Sequence, residues 1–552
     1  MTAAAHRERL IRVALVAGFA AAFAGWWWAV LPPGVVAMND DFGYLRSVIE
    51  TLQRNRPWTD DWLEPWNAGL SVLSALVWRV TGSFLIATQG VQAVLAGVTI
   101  ALLMWLLRTR HLSWGWCGAM GLIALTIPTV FGKMVEYTGM SLVLPCLLLA
   151  IVAAERGWWR LFLGVWIVAL ATRQSAAAWG ALPLIAAWER WRGQRSGTMA
   201  PVAVWAGGVA TYFLLLTLMN RTHAQSSVTA HMWENLRAGR AMELAGIGSV
   251  VFFGAAGLSA WGSGARWRMA RWWQWTAVAI LVGWLGWGVE WHDRVYFEHS
   301  RYRDAGQIYL RGLLVVGALG WLTHAVRLRW MHCAGGFAAL VLVCLRRDVW
   351  DYYFVDVFVF GFLAIEAAPD SALAVPRRPW WRTTGAITAA LVLVGCHARF
   401  VAEFKAETDT RWAAISLAEE ALRDGRVQVP EIVGLPFGYI GWQLFPGSLR
   451  RRAEGGTEGD NFFDYLADSG VELKQVSGAG WARRWIAGDD PRPREVVAQG
   501  AFHVWWQHAD FELVRFTARP VTPAKRSLPT AFVRPVFPLN DEEWSAAIRA
   551  TR

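Results

Sequence analysis

The sequence predicts an all-α polytopic membrane protein with about 11–13 transmembrane helices, followed by a C-terminal soluble α/β domain. Of its 552 residues, 55% are hydrophobic and only 17% are charged, which is too apolar for a soluble protein of this length. Apolar runs of about 16 to 24 residues recur between Ala14 and Arg399, and a helix needs roughly 20 such residues to cross a bilayer. Many of the 38 Trp residues stand at the ends of these runs, which is typical of an aromatic belt at the headgroup level.

The apolar runs define the predicted spans. In chain order they are 12–35, 68–107, 112–131, 138–154, 158–171, 176–188, 198–219, 242–261, 272–290, 308–325, 331–345, 350–367 and 383–400. The second comprises an entry helix and a span, with a break at Thr81-Gly82. The basic start of the chain also fits a signal peptide, but the apolar stretch from Val13 to Leu31 is longer than a usual signal core. We therefore expect it to be retained as the first span.

The distribution of charge predicts which side of the membrane each connecting segment faces. With the N-terminus inside, the density of Lys and Arg in the connecting segments is about twofold higher on the inner side, as the positive-inside rule requires. An odd number of spans then places the C-terminus outside, so we expect a multi-pass protein of a bacterial-type inner membrane with its C-terminal domain in the periplasm. The net charge of +11 is explained by these loops and by anionic lipid, and we expect no nucleic-acid partner.

The last part of the chain differs in character from the rest. We assign residues 1–400 to the membrane domain and 401–552 to a soluble extracytoplasmic domain, in which a helix-like stretch (408–424) and strand-like stretches (427–435, 510–517) alternate. Its aromatic residues either stack on sugar faces or form the core of a small domain, and we favour the core.

The first outer segment, residues 38–67, carries the most informative motif. Asp40 and Asp41 are adjacent carboxylates at a bilayer surface, where each raises the cost of ionising the other. Such a pair fits a role in taking a proton or holding a cation; the other interpretation is a helix cap, for which one Asp suffices. From Tyr44 onward, the apolar period predicts an amphipathic helix lying flat on the membrane.

Further charged residues lie at the predicted outer ends of other spans. Arginine grips phosphate in a bidentate manner, although any one of these side chains also fits a lipid headgroup contact. The candidates for binding a phosphate or substrate are Lys133, Glu136, Arg173, Arg294, Arg301, Arg346 and Arg347.

This layout resembles the GT-C glycosyltransferases, membrane enzymes that take sugars from polyprenyl-phosphate carriers, and is similar to the aminoarabinose and O-mannosyl transferase types. The resemblance covers about residues 10–190. It is carried by the acidic pair after the first span, by the predicted horizontal helix, by Glu136-Tyr137-Thr138, and by Ala171-Thr172-Arg173-Gln174-Ser175. The pair here is Asp-Asp, where many relatives have Asp-Glu or one Asp.

The resemblance implies that Asp40 or Asp41 is the catalytic carboxylate, a general base for an acceptor hydroxyl that attacks the anomeric carbon with inversion. The partners implied are a polyprenyl-phosphate-linked sugar donor, membrane lipids, and a glycan, lipid or protein acceptor. The resemblance implies no particular cofactor; a carboxylate pair can also bind a divalent cation, and the sequence does not decide whether a metal is held or by which residues.

Two other classes of function compete with this one. A polytopic transporter or lipid flippase with an extracytoplasmic accessory domain predicts charges in the middle of spans, whereas here they lie at span ends, with Arg79 and Arg311 as mild exceptions. A membrane anchor for an outer-face complex would not need the acidic pair.

Overall fold

The structure, a computed structural model, describes residues 3–35, 41–59, 68–109, 114–193, 198–219, 240–262, 271–283, 303–324, 327–345, 351–366, 380–426, 471–479, 494–504, 507–516 and 538–550. Most of these residues are helical, and strands occur only near the C-terminal end of the described chain. The predicted fold class, a helical membrane body followed by a small α/β region, is confirmed.

The helices before residue 220 are α1 (Ala3–Val30), α2 (Asp41–Arg54), α3 (Gly69–Thr81), α4 (Val91–Arg108), α5 (Trp114–Leu125), α6 (Pro128–Val135), α7 (Met140–Arg156), α8 (Trp159–Leu170), α9 (Ala181–Arg192) and α10 (Met199–Met219). A π-helical segment, Ile86–Gly90, leads into α4, and a 3-10 helix, Gln174–Gly180, leads into α9.

The later elements are α11 (Arg240–Gly262), α12 (Trp272–Gly283), α13 (Arg303–Thr323), α14 (Trp330–Cys344), a 3-10 turn (Asp351–Phe354), α15 (Val355–Leu363), α16 (Trp380–Arg423), β1 (Val471–Ala479), β2 (Arg494–Val504), β3 (Gln507–Phe516) and α17 (Asp541–Ala550).

Three helical stretches in the described part of the chain are long and apolar enough to cross a membrane, by length and composition. They are Leu10–Val30, Ile86–Arg108 and Ala241–Trp261. Shorter apolar helices accompany them, such as Trp159–Leu170 and Trp330–Cys344. The number of spans stays a prediction.

The predicted break in the second span is confirmed. Helix α3 ends at Thr81, and Gly82 has the left-handed φ of 69° that glycine tolerates, while its N–H donates to the Trp78 carbonyl oxygen at 2.7 Å. Arg79, an exception in the charge pattern, donates a hydrogen bond to the Asn55 side chain. The guanidinium therefore has a hydrogen-bond acceptor in the first outer segment.

The predicted third span, 112–131, is two helices instead of one. Helix α5 ends at Leu125 and α6 begins at Pro128, because proline is compatible with the first turn of a new helix and breaks a continuing one.

The predicted last span, 383–400, and the helix-like stretch 408–424 form one continuous helix, α16, of 44 residues. No Gly or Pro occurs between Gly395 and Gly425, so nothing in the backbone stops the helix where the polarity changes. The predicted domain boundary at residue 400 falls inside this helix. Where the membrane domain ends stays a prediction.

The C-terminal elements contact the helical body at two places. The antiparallel sheet has the order β1-β3-β2, and its Gly500 lies against Leu417 of α16. Helix α17 packs on the turn after α3, where Trp544 stacks on Phe84 with ring centroids 4.5 Å apart, and Ser545 Oγ donates to the Gly82 carbonyl oxygen.

Helices α11 and α13 cross at unusually short range. A Cβ atom built on Gly257 would lie 2.0 Å from the Gly317 carbonyl oxygen, and one built on Gly320 would lie 1.9 Å from the Gly257 carbonyl oxygen. The crossing therefore requires residues without side chains.

Candidate functional site

The structure describes the segments on both sides of the acidic pair. Asp40 lies outside the described residues, and Asp41 is the first residue of α2, described in its backbone only. The role of both carboxylates therefore stays a prediction. The flanking segment from Leu31 to Val35 is buried, apart from Pro33, and is held by polar contacts.

Two elements hold this flanking segment. The Gln89 side-chain amide, just before α4, donates to the carbonyl oxygens of Gly34 (2.9 Å) and Pro32 (3.3 Å). The Lys405 ammonium of α16 donates to the Leu31 carbonyl oxygen at 3.0 Å. These donors satisfy carbonyl groups that have left the helical hydrogen-bond pattern at the end of α1.

Helix α2 begins at Asp41, the second residue of the acidic pair, and protein covers more than its apolar face. Leu45, Val48 and Leu52 are buried, as the amphipathic pattern predicts. Ser47 and Glu50 of the predicted polar face are also buried. The helix itself is confirmed, but protein covers part of the face that was expected to meet water.

Lys133 lies on α6, close to Glu136, which follows the end of this helix. The Lys133 ammonium lies 2.7 Å from Glu136 Oε2, and both side chains are buried, 5% and 1% exposed. The helix ends at Val135 because Glu136 turns to an extended conformation. The Gln92 amide lies within hydrogen-bond distance of the carbonyl oxygens there, 2.7 Å from that of Glu136, and closes the last turn.

The segments on both sides of the acidic pair line one small cavity together with Glu136. Its wall includes Val35 before the acidic pair, Leu45 after it, and Glu136. The remaining residues of the wall come from the end of α1, from α4 and the segment before it, from the end of α6 and the residue after Glu136, and from α16: Leu31, Pro32, Thr88, Gln89, Gln92, Val135, Tyr137, Phe404 and Thr408. A buried carboxylate and both flanks of the acidic pair thus share one cavity.

Arg173 lies in a third segment, between α8 and the 3-10 helix. The preceding Thr172 fits against Gly69 at the start of α3, where a Cβ atom would lie 2.1 Å from Thr172 Oγ1, and Gly69 N–H donates to Ala171 at 2.8 Å. A Cβ on Gly139 would meet both the Thr172 carbonyl oxygen and the Tyr44 hydroxyl. The segments that carry Asp41, Glu136 and Arg173 therefore converge.

Asp356 is a buried carboxylate outside the set of residues predicted from the sequence. It lies in the first turn of α15, where the helix dipole favours a negative charge, and its polar neighbours are Arg173, Ser175 and Trp179. The Arg173 guanidinium also lies 5.6 Å from the Tyr353 ring centroid. An Asp inside the apolar run 354–363 is the signal that could have revealed it.

Lys405 and Asp409 form a second unpredicted pair near the cavity. Lys405 Nζ lies 2.9 Å from Asp409 Oδ1, one helical turn apart on α16. Burial raises the pKa of Asp409, and the Lys405 ammonium opposes that rise. The i,i+4 spacing of Lys405 and Asp409 in the sequence could have predicted this ion pair. Both residues follow the predicted boundary at residue 400, so the prediction places them in the soluble domain and outside the site.

The remaining predicted candidates lie outside the described residues: Arg294, Arg301, Arg346 and Arg347. Among the residues that the structure describes, no group of three His, Cys, Asp or Glu side chains is arranged to hold a metal ion. Whether a divalent cation binds the acidic pair stays open.

Neither a family model nor a curated protein matches the chain. Among solved structures, the chain is similar to the crystal structure of ArnT from Cupriavidus metallidurans bound to undecaprenyl phosphate. The TM-score is 0.40 at 15% identity, and the alignment covers 80% of this chain and 85% of that chain.

Proposed function

We propose that this protein is a membrane glycosyltransferase that moves a sugar from a polyprenyl-phosphate carrier to a hydroxyl group of a glycan, lipid or protein. The observation that carries the proposal is the shared cavity. It is lined by both flanks of the acidic pair and by Glu136, whose carboxylate is paired with the Lys133 ammonium. Glycosyl transfer from a phosphate needs a proton acceptor and a cation. The acidic pair lies between two segments that line the cavity, and the buried Lys133 ammonium is paired with Glu136 of its wall.

The proposed reaction assigns one role to each group. Asp40 or Asp41 accepts the proton of the acceptor hydroxyl as its oxygen attacks the anomeric carbon. The bond between that carbon and the phosphate oxygen breaks, and the electron pair leaves with the phosphate. Attack from the side opposite the leaving group inverts the configuration of the sugar.

Cations stabilise the charge that gathers on the departing phosphate. Lys133 and Arg173 are the candidates in the described part of the chain, because their segments converge with the start of α2. Glu136 holds Lys133, and Asp356 lies beside Arg173. Arg294, Arg301, Arg346 and Arg347 stay candidates for the same phosphate.

The contacts of α17 support an outer-face site. Trp544 and Ser545 contact the turn after α3, which is joined to the first outer segment by the hydrogen bond between Arg79 and Asn55. The C-terminal helix and the acidic segment are therefore on one side of the body. An odd number of spans predicts this arrangement, with both outside.

The competing transporter hypothesis gains no support from Asp356. This buried carboxylate lies in the first turn of α15, with Arg173 among its neighbours, so an opposite charge accounts for it.

The experiment uses the purified protein in liposomes with a panel of labelled polyprenyl-phosphate hexoses and pentoses and a membrane extract as acceptor. We expect acceptor-dependent transfer of one sugar with release of polyprenyl phosphate, and no transfer by the Asp40→Asn, Asp41→Asn double variant. Asp424→Asn is the matched control, because Asp424 is 60% exposed and pairs with Arg426. Movement of the labelled lipid between leaflets without sugar transfer would instead support a flippase.

A further inference from the structure

Helix α16 passes along the segment that leads to the acidic pair. Phe404, Lys405, Thr408 and Trp412 are spaced so that they share one face of the helix. Phe404 and Thr408 line the cavity, while Lys405 and Trp412 contact the chain between Leu31 and Gly34. The helix is thus part of the wall around the candidate site.

Lys405 makes the polar part of this contact. Its side chain is 11% exposed, and its ammonium donates to the Leu31 carbonyl oxygen at 3.0 Å and to Asp409 at 2.9 Å. Leu31 follows the last residue of α1, where carbonyl groups lack partners within the helix and the dipole favours a cation. Lys405 therefore caps α1 from a distant part of the chain, and Asp409 offsets the cost of burying its charge.

Trp412 makes the apolar part. A Cβ atom on Gly34 would lie 2.2 Å from the Trp412 ring, so the ring lies directly on the glycine backbone. The Gln89 amide donates to the carbonyl oxygen of the same glycine at 2.9 Å. The segment from Leu31 to Gly34 is therefore contacted by both α16 and the π-helical segment before α4.

The far end of α16 carries the C-terminal elements. Leu417 lies against Gly500 of the sheet, and Arg423 binds Glu543 of α17. One continuous helix therefore contacts both the C-terminal elements and the entry to the candidate site.

We propose that Lys405 is a positioning residue that fixes the segment Leu31–Val35 and thereby sets where the acidic pair enters the site, a role that rests on the proposed function. A displaced carboxylate slows proton transfer more than it weakens donor binding, because the donor is held by other groups. Loss of Lys405 is therefore expected to lower kcat with little change in KM for the lipid donor.

The test compares Lys405→Met, Lys405→Arg and Arg399→Met in the full-length protein in liposomes. Arg399→Met is the matched control, because Arg399 lies on the same helix, is 36% exposed and pairs with Glu403. We expect Lys405→Met to lower kcat by about tenfold or more and to speed amide exchange of Leu31, Gly34 and Val35 by a similar factor, since a charged hydrogen bond is lost. Lys405→Arg should restore most of both, and Arg399→Met should change neither.

Amide exchange also separates this proposal from the proposed function. Faster exchange in Lys405→Met, in a protein whose wild type transfers no sugar, would support the fixing of the segment and count against the glycosyltransferase. Wild-type exchange and wild-type kcat in a folded Lys405→Met protein would overturn the positioning role. If Lys405→Met does not fold, Trp412→Leu tests the same face of α16. Faster amide exchange of Leu31, Gly34 and Val35 and a lower kcat are again expected, and unchanged values overturn the proposal.

Discussion

The Lys133 ammonium lies 2.7 Å from the Glu136 carboxylate, and both side chains are buried where α6 ends at the cavity wall. Neither charge is exposed enough to be solvated well by water. Removal of one partner would therefore leave the other as a buried charge without its closest counter-ion.

We predict that Lys133→Met lowers the stability of the folded protein by about 3–5 kcal/mol, the usual effect of breaking a buried ion pair. The double variant Lys133→Met, Glu136→Gln should regain most of that stability, because no uncompensated charge is left. It should not regain sugar transfer, because Lys133 is proposed to act on the phosphate. Thermal unfolding in detergent measures the first effect. A double variant as unstable as the single one would contradict the pairing.

The glycine crossing of α11 and α13 gives a prediction on stability alone. Gly257→Ala should destabilise the protein by about 1–3 kcal/mol, because the new methyl group meets backbone atoms that cannot rotate away. Gly246→Ala on the same helix is the control, since nothing lies within 4 Å of its Cβ position. That change should stabilise the helix slightly or be neutral. Equal unfolding temperatures for the two variants would show that the crossing is not close.

The stacking of Trp544 on Phe84 should hold the C-terminal helix on the body. Trp544 is 2% exposed, so Trp544→Ala removes a buried aromatic residue and should cost about 3–5 kcal/mol of local stability. We expect faster proteolytic cleavage within residues 538–550. Trp191→Ala, at a side chain that is 71% exposed, should leave the cleavage rate unchanged. Equal cleavage rates in the two variants would argue against docking of α17.

The docking of α17 should weaken in acid. The Arg423 guanidinium holds the pKa of Glu543 below its ordinary value of 4.5, through the hydrogen bond between them at 2.7 Å. A carboxyl group whose pKa is lower in the folded state stabilises that state above its ordinary pKa. This contribution is lost as the pH falls through the folded value.

Amide exchange of residues 538–550 should therefore be slow and constant at neutral pH, after correction for intrinsic rates, and should speed up below about pH 4.5. Glu543→Gln should remove much of this pH dependence and show faster exchange at every pH. A variant that keeps the full acid response would assign that response to another group.

Several features of the fold follow from local sequence, and others depend on tertiary contacts. The apolar period after Asp41 predicts α2, and Thr81-Gly82 predicts the end of α3, because both signals act within a few residues. The split of the predicted third span was missed, although Pro128 marks its position. The residues around Pro128 are apolar, so a hydropathy pattern does not show the turn between α5 and α6.

The residues of the candidate site also differ in whether local sequence or tertiary contacts determine them. Lys133 and Glu136 could be predicted as candidates, because both lie at a span end and the resemblance includes Glu136. Lys405 could not, since its partner Leu31 is 374 residues away and only the folded chain brings α16 to the end of α1. The change from apolar to polar composition near residue 400 does not end α16, because polarity alone does not stop a helix; the domain boundary there stays a prediction.

The most direct test of the account is the rate of sugar transfer by Asp40→Asn and Asp41→Asn, measured separately beside Asp424→Asn in liposomes. The isosteric amide keeps the size of the side chain but cannot accept the proton, so at least one of the two variants should lose about 10²-fold or more in kcat. Both should fold, with the unfolding temperature of the wild type, and Asp424→Asn should be fully active. Wild-type rates in both Asp40→Asn and Asp41→Asn would contradict the assignment of the acidic pair as the catalytic base.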